Sequence, residues 1–166
     1  NAGIAYKLNL VTVPELPLSG MADNMYFKVY MSDVGLLRRK SNVSYRTVLE
    51  GDSSYIYYKG AMTENYVMTQ LKCMGIECWF WRTKADAELD FITDYEGVLL
   101  PIEVKSADNT KAKSLHMFCN RYTPKMAIKT SLKNVGDNMD GETHVWSVPL
   151  YVLFRFKDYV AHEMKW

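Results

Sequence analysis

Four side chains of this sequence have types and spacing that could do chemistry together: Glu64, Asp90, Glu103 and Lys105. Asp90 lies in the extended run Ala87 to Thr93. Glu103 and Lys105 lie in the run Val98 to Ser106, and the turn signal Asp94-Tyr95-Glu96-Gly97 separates the two. Strand alternation puts Ala87, Leu89 and Phe91 on one face and Glu88, Asp90 and Ile92 on the other. On the second strand, Ile102 and Val104 share a face, and Glu103 and Lys105 take the opposite one. A turn centred between Glu96 and Gly97 sets Asp90 opposite Glu103 and Glu88 opposite Lys105, with Cβ atoms ~5 Å apart. Two carboxylates that close repel, and without a cation one tends to keep a proton. A divalent ion removes the conflict, and oxygen ligands of this kind suit Mg²⁺ or Mn²⁺. The Lys105 ammonium could then orient an attacking water or offset charge on a phosphate. The competing arrangement is a cross-strand salt-bridge cluster, Glu88 with Lys105, beside an exposed Asp90 and Glu103.

The elements that must position these groups can be read from the same sequence. Gly60 to Met74 has helical spacing with Gly75 as its stop. Glu64 precedes Val67, Met68 and Leu71 by three, four and seven positions and so shares their apolar stripe. An acid on an inward face calls for a metal or a buried cation; the alternative is a first-turn carboxylate favoured by the helix dipole, worth ~0.3–1 kcal/mol. Strands are expected at Cys78 to Thr83, Ala87 to Thr93, Val98 to Ser106 and Met126 to Ser131, with a helix from Lys111 to about Tyr122. Asn134 to Glu142, rich in Gly, Asn and Asp, reads as a loop; Thr143 to Val148 reads as a last strand, and Pro149 as the start of a terminal helix. Upstream, Ile4 to Val13 and Met25 to Met31 read as strands of a hairpin broken by Pro14, Pro17 and Gly20. Ser32 to Leu37 reads as a turn and short helix. The fold expected is α/β, a mixed central sheet flanked by helices with core order α-β-β-β-α-β. A soft boundary near Gly51 separates a β-rich N-terminal extension, residues 1–50, from the main domain, residues 51–166.

Composition narrows the function classes. The chain has 166 residues, 48% hydrophobic and 23% charged, ordinary for a soluble domain. No apolar run approaches the ~20 residues of a membrane span, and Asn1 to Leu10 lacks the pattern of a signal peptide, so a cytoplasmic protein without membrane attachment is expected. Cys73, Cys78 and Cys119 are odd in number and lack a CxxC, which fits a reducing compartment; with His116 their spacing is poor for zinc. Net charge is only +1, but its distribution is uneven: residues 61–105 carry four basic and eight acidic groups, and residues 106–133 carry six and one. Carboxylates that hold a metal, followed by Lys111, Lys113, Arg121, Lys125 and Lys129 as contacts to a nucleic-acid backbone, would give this pattern; a solvated helix face would also give it. Trp79, Phe80 and Trp81 read as core rather than a base-stacking platform, and Arg38-Arg39-Lys40 as a solvated helix end.

The combination of a helix acid, Leu89-Asp90-Phe91 and Pro101-Ile102-Glu103-Val104-Lys105 resembles the PD-(D/E)xK, or restriction-endonuclease-like, superfamily. Leu89 stands where the superfamily's motif has Pro. The wider run is similar to the C-terminal domain of unknown function of bacterial and archaeal AAA-type ATP-binding proteins. The residues carrying that likeness are Lys28 to Leu37 (KVYMSDVGLL), Gly60 to Asn65 (GAMTEN), Phe80 to Thr83 (FWRT), Ala87 to Phe91 (AELDF), Pro101 to Ser106 (PIEVKS) and Val148 to Tyr151 (VPLY). The resemblance implies a restriction-endonuclease-like sheet and a Mg²⁺-dependent DNA phosphodiesterase. It makes Asp90 and Glu103 metal ligands, Lys105 the lysine that positions water or stabilises the transition state, and Glu64 an accessory acid and further ligand. It also implies an ATPase module and a winged-helix segment ahead of this region, with residues 1–50 as a remnant of the winged segment. The sequence contains no G-x-x-x-x-G-K-[ST], so ATP would bind only in a module outside this chain. DNA is the implied partner and a homo-oligomer is left open. The alternative function is a catalytically silent nuclease-like module that binds DNA or a partner protein for the attached ATPase.

Overall fold

The computed structural model describes residues 3–50, 53–84, 87–106 and 112–163. Among them one mixed sheet of eight strands runs through the molecule in the order β2-β1-β3-β4-β5-β6-β8-β7. The strands are β1 (Ala5–Val11), β2 (Ala22–Met31), β3 (Trp79–Arg82), β4 (Glu88–Tyr95), β5 (Val98–Val104), β6 (Met126–Ser131), β7 (Gly136–Asp140) and β8 (Thr143–Pro149). The helices are α1 (Val34–Lys40), α2 (Tyr45–Glu50), α3 (Ser53–Cys73), α4 (Lys113–Tyr122) and α5 (Phe156–Glu163). From α3 the chain runs α3-β3-β4-β5-α4-β6, the expected α-β-β-β-α-β order.

The sheet separates two apolar layers. On one side Val67, Met68 and Leu71 of α3 pack with Leu8, Leu10, Tyr30, Phe80, Phe91, Leu100, Ile102 and Ile128, and with Leu153, Phe156 and Val160 near the C-terminus. On the other side Leu115, Phe118 and Cys119 of α4 cover Trp81, Leu89, Ile92, Ala127 and Val145. Trp81 is fully buried there, edge-on to the rings of Phe118 and Tyr122 at 5.1 and 5.8 Å. That environment agrees with reading the aromatic run as core, and T-shaped contacts of this kind are favourable beyond area burial.

Helix α3 stops where expected. Gly75 takes φ +71°, its N–H bonds the carbonyl of Lys72, and the Ile76 N–H bonds that of Leu71. This closing loop satisfies the last carbonyls and needs a residue free to adopt positive φ. The helix begins at Ser53 rather than Gly60, because Gly60 is carried inside it. A Cβ at Gly60 would meet only Ser106 Oγ, 3.8 Å away, so Gly60 marks the approach of α3 to the end of β5.

Two other expectations are corrected and a third is extended. The segment read as a loop, Asn134 to Glu142, contains the edge strand β7, antiparallel to β8. Its Gly, Asn and Asp residues have little strand preference, but pairing with β8 overrides propensity, and Asp137 and Asp140 accept contacts from His144 and His116. Pro149 ends β8 and caps a 3-10 helix, Leu150–Arg155, so the terminal α-helix α5 starts only at Phe156. The β1–β2 pair is antiparallel, as expected of a hairpin, and β1 also pairs in parallel with β3.

A candidate acid-lysine site at the fork of β4 and β5

The β4–β5 hairpin turns through Glu96 and Gly97, both at positive φ, +51° and +80°. Two such residues in a two-residue loop match the right-handed twist of the flanking strands. The Asp94 carboxylate braces the turn by accepting from the Gly97 N–H at 3.0 Å. This turn fixes the register expected from the sequence, Tyr95 opposite Val98 through Phe91 opposite Ile102, where the ladder ends. Beyond that point β5 turns its hydrogen bonds to β6, and the Lys105 N–H donates to the Thr130 carbonyl at 2.8 Å. Asp90 and Glu103 are therefore the first residues of a fork between parting strands. The Asp90 carboxylate spans it and accepts from the Val104 N–H at 2.7 Å.

A β-bulge re-aims Asp90. Trp79 pairs with Ile92 but Trp81 pairs with Leu89, so two residues, Asp90 and Phe91, stand against Phe80 alone. Leu89 and Ile92 consequently both reach the α4 side of the sheet, while Phe91 reaches the α3 side. This corrects the simple alternation expected for Ala87 to Thr93. Bulges of this kind change the direction of one side chain and end local pairing.

Glu103 is buried, with 3% of its surface exposed. Its Oε1 accepts from Lys105 Nζ at 2.5 Å, and its buried Oε2 has no hydrogen-bond partner among the described residues. Lys105 thus pairs with Glu103 on its own strand and not with Glu88 across the hairpin. Burial pushes the Glu103 carboxyl up; the Lys105 ammonium opposes this and the charge of Glu64 adds to it. Burial raises Asp90 well above the usual carboxylate range, reinforced by the charges of Glu103 and Glu64 and opposed by the Val104 N–H and Lys28. An orphaned, buried carboxylate oxygen beside a second, half-buried carboxylate is a position that a cation would stabilise.

Glu64 faces the sheet from α3, where Tyr30 Oη donates to its Oε2 at 3.1 Å. Lys28 Nζ lies 3.7 Å from the same oxygen and 2.5 Å from Glu88 Oε1. Burial pulls the Lys28 pKa down, but the charges of Glu64, Glu88 and Asp90 outweigh it and hold the ammonium above its ordinary value. Asn65, 1% exposed, clamps β2 to α3: its amide accepts from the Met31 N–H at 2.7 Å and donates to the Met31 carbonyl at 3.0 Å. The four-residue site expected from the sequence therefore omits Lys28, Tyr30 and Asn65. A signal for the first two was present, since two polar-tipped residues at i and i+2 share one face of a strand whose other residues are largely apolar.

The structure brings Glu64, Asp90 and Glu103 within reach of one another's charges, with Lys105 on Glu103. Among the described residues no three His, Cys, Asp or Glu side chains converge closely enough to hold a metal ion by themselves. Mg²⁺ commonly keeps several waters and takes only one or two carboxylates, an arrangement that Asp90 and Glu103 fit, with Glu64 reached through water. The expected nucleic-acid contacts are dispersed. Lys113 and Arg121 line a groove of about 720 Å³ along α4 with Ala112, His116, Met117 and Asn120, and none of the four acids lines it. Lys125 is exposed, Lys129 stands beside Glu103 in the β5–β6 register, and Lys111 lies outside the described residues. The three cysteines are free; burial pushes Cys78 up to about 12 and Cys119 up to about 11, so neither is poised as a thiolate. No helix among the described residues is long and apolar enough to cross a membrane.

The chain is 34% identical over 80 residues to an uncharacterized protein of Mycobacterium tuberculosis and, equally, to one of Mycobacterium bovis. The match covers 47% of this chain and 17% of each relative, so the chain spans about a sixth of the length of the curated relatives it matches. No solved structure gives a significant match. Residues 59–151, more than half of the sequence, match the family model described as "Domain of unknown function (DUF4143)". Glu64, Asp90, Glu103 and Lys105 all lie within the matched residues, Lys28 and Tyr30 lie before them, and on this match the chain belongs to that family.

Proposed function

We propose that this domain is a restriction-endonuclease-like, Mg²⁺-dependent DNA phosphodiesterase of the PD-(D/E)xK kind, forming the C-terminal part of a larger AAA-type ATP-binding protein. The observation that carries the reading is the buried Glu103 Oε2, which lacks a partner among the described residues beside the half-buried Asp90, while Lys105 holds the other Glu103 oxygen. Asp90 and Glu103 would hold the ion. Bound there, it supplies Lewis acidity and a water of lowered pKa. Lys105, fixed by Glu103, is placed to orient the attacking water or to donate to a phosphate oxygen as charge develops. Glu64, held by Tyr30, would accept a proton from outer water. Water would attack phosphorus in line, and the bridging oxygen opposite it would leave, taking a proton from solvent. Lys113, Arg121, Lys125 and Lys129 are the proposed backbone contacts, with Lys111 beside them in sequence.

The test is cleavage of supercoiled and linear DNA with Mn²⁺ or Mg²⁺. Glu103→Gln should lower the rate by at least ~10³-fold, as expected for losing both an ion ligand and the anchor of Lys105. Cleavage unchanged in Glu103→Gln overturns the assigned mechanism. A second reading, a silent module that binds DNA or a partner protein for the ATPase, is favoured by the basic groove on α4, which none of the acids lines. That reading expects DNA binding of equal strength in EDTA and no cleavage.

A further inference from the structure

Nucleases built on carboxylates differ in how many ions they take, and two-metal sites need carboxylates to serve both ions at a spacing of about 3.5–4 Å. Around this fork the acids among the described residues are Glu64, Glu88, Asp90 and Glu103. The two beyond the Asp90–Glu103 pair are Glu64 and Glu88, and both are engaged by a single side chain, Lys28. Its Nζ is 3.7 Å from Glu64 Oε2 and 2.5 Å from Glu88 Oε1, and lies 5.2 Å above the ring of Phe80. The ammonium reaches these groups from β2, a strand beyond β1 and β3 in the sheet, so it is not an incidental neighbour of the hairpin. Its side chain is only about a quarter exposed, at 24%.

We propose that Lys28 occupies the place of a second metal ion, so that this site accepts one divalent cation and not two. The inference rests on the metal-dependent reading above. Charge balance supports it. Among the described groups that act on one another here, four ionised carboxylates against the ammoniums of Lys28 and Lys105 leave two negative charges, the charge of one divalent ion. Geometry supports it independently: the oxygen left without a partner belongs to Glu103, whereas Glu64 and Glu88 already have a cation between them. A tethered ammonium competes at a high effective concentration that a free ion must exceed to displace it. Lys28 acts on the reaction through these carboxylates, as a positioning residue.

Calorimetric titration of the protein with Mn²⁺ alone, without DNA, tests the idea, with thermal shift as a second readout. The wild-type protein should bind one ion. Lys28→Met should bind two, the second at least ~10-fold more weakly, and its metal-free form should melt lower. Lys28→Arg, which keeps the cation, should return to one. Two ions on the wild-type protein overturn the inference, whether or not Lys28→Met folds. One ion of unchanged affinity on a folded Lys28→Met also overturns it, leaving Lys28 as a structural ion pair. Those results leave the metal reading standing so long as Glu103→Gln abolishes binding. Absence of any bound Mn²⁺ on the wild-type protein sinks both.

Discussion

At the residue scale the informative fact is a conflict between burial and charge. Asp90 and Glu103 are both raised by burial, and each lies in the field of Glu64, while Lys28 and Lys105 only partly offset them. A carboxyl whose folded pKa exceeds its unfolded value contributes stability that is fully present below the unfolded pKa and is lost as pH rises through the folded one. The metal-free protein should therefore lose stability as pH climbs above the ordinary carboxylate range, ~4, through the raised values of this pair. Thermal melts in EDTA across pH 4–8 check this, and Asp90→Asn should flatten the curve over that window. A wild-type curve that rises with pH in EDTA would show that the pair is compensated in a way these contacts do not reveal. Asp90 and Glu103 were legible in the sequence because their types and spacing carry the signal. The roles of Lys28 and Tyr30 were not, because a single strand does not disclose which helix its polar tips will meet.

Elements position the site through three devices of different legibility. The turn at Glu96-Gly97 was readable, since glycine after a polar residue between two apolar runs marks a tight hairpin, and it delivered the observed register. The bulge at Asp90 and Phe91 was not readable, because it depends on the register of β3 against β4 and no residue in the run announces it. The third device is the Asn65 clamp on Met31, which fixes β2 against α3 and so brings Lys28 and Tyr30 to Glu64. Asn65→Ala leaves a donor and an acceptor of the Met31 backbone without these partners and should destabilise the protein by about 1–3 kcal/mol. Chemical denaturation measures it; Asn65→Asp, which keeps the acceptor but sets a buried oxygen against the Met31 carbonyl, should cost at least as much as Asn65→Ala. Equal stability of wild type and Asn65→Ala would mean that the clamp adds nothing to the hold that β1, Lys28 and Tyr30 already have on β2. Strand β7 shows the opposite lesson: a Gly- and Asp-rich segment reads as a loop until its partner β8 is known.

At the scale of the whole molecule, one sheet carries both apolar layers and the site sits where its central strands part. Residues of β1 and β2, Leu8, Leu10 and Tyr30, belong to the same apolar cluster as α3 and β4. Cooperative unfolding follows from shared core. Tryptophan fluorescence and far-UV circular dichroism should report one coincident transition in urea, and an earlier step confined to one probe would contradict a common core. The α-β-β-β-α-β order was legible from periodicity, because apolar repeats report burial directly, and the mixed, helix-flanked sheet was expected once the resemblance was added. Pairing β1 with β3 was not, since a parallel contact between strands so far apart in sequence leaves no local mark. The central claim is that the fork of β4 and β5 holds a divalent ion between Asp90 and Glu103. Its most direct test is anomalous diffraction from crystals soaked in Mn²⁺. The expected result is a peak about 2.1 Å from oxygens of both carboxylates, at the side of Glu103 Oε2. A peak on other residues, or none at saturating Mn²⁺, would contradict it.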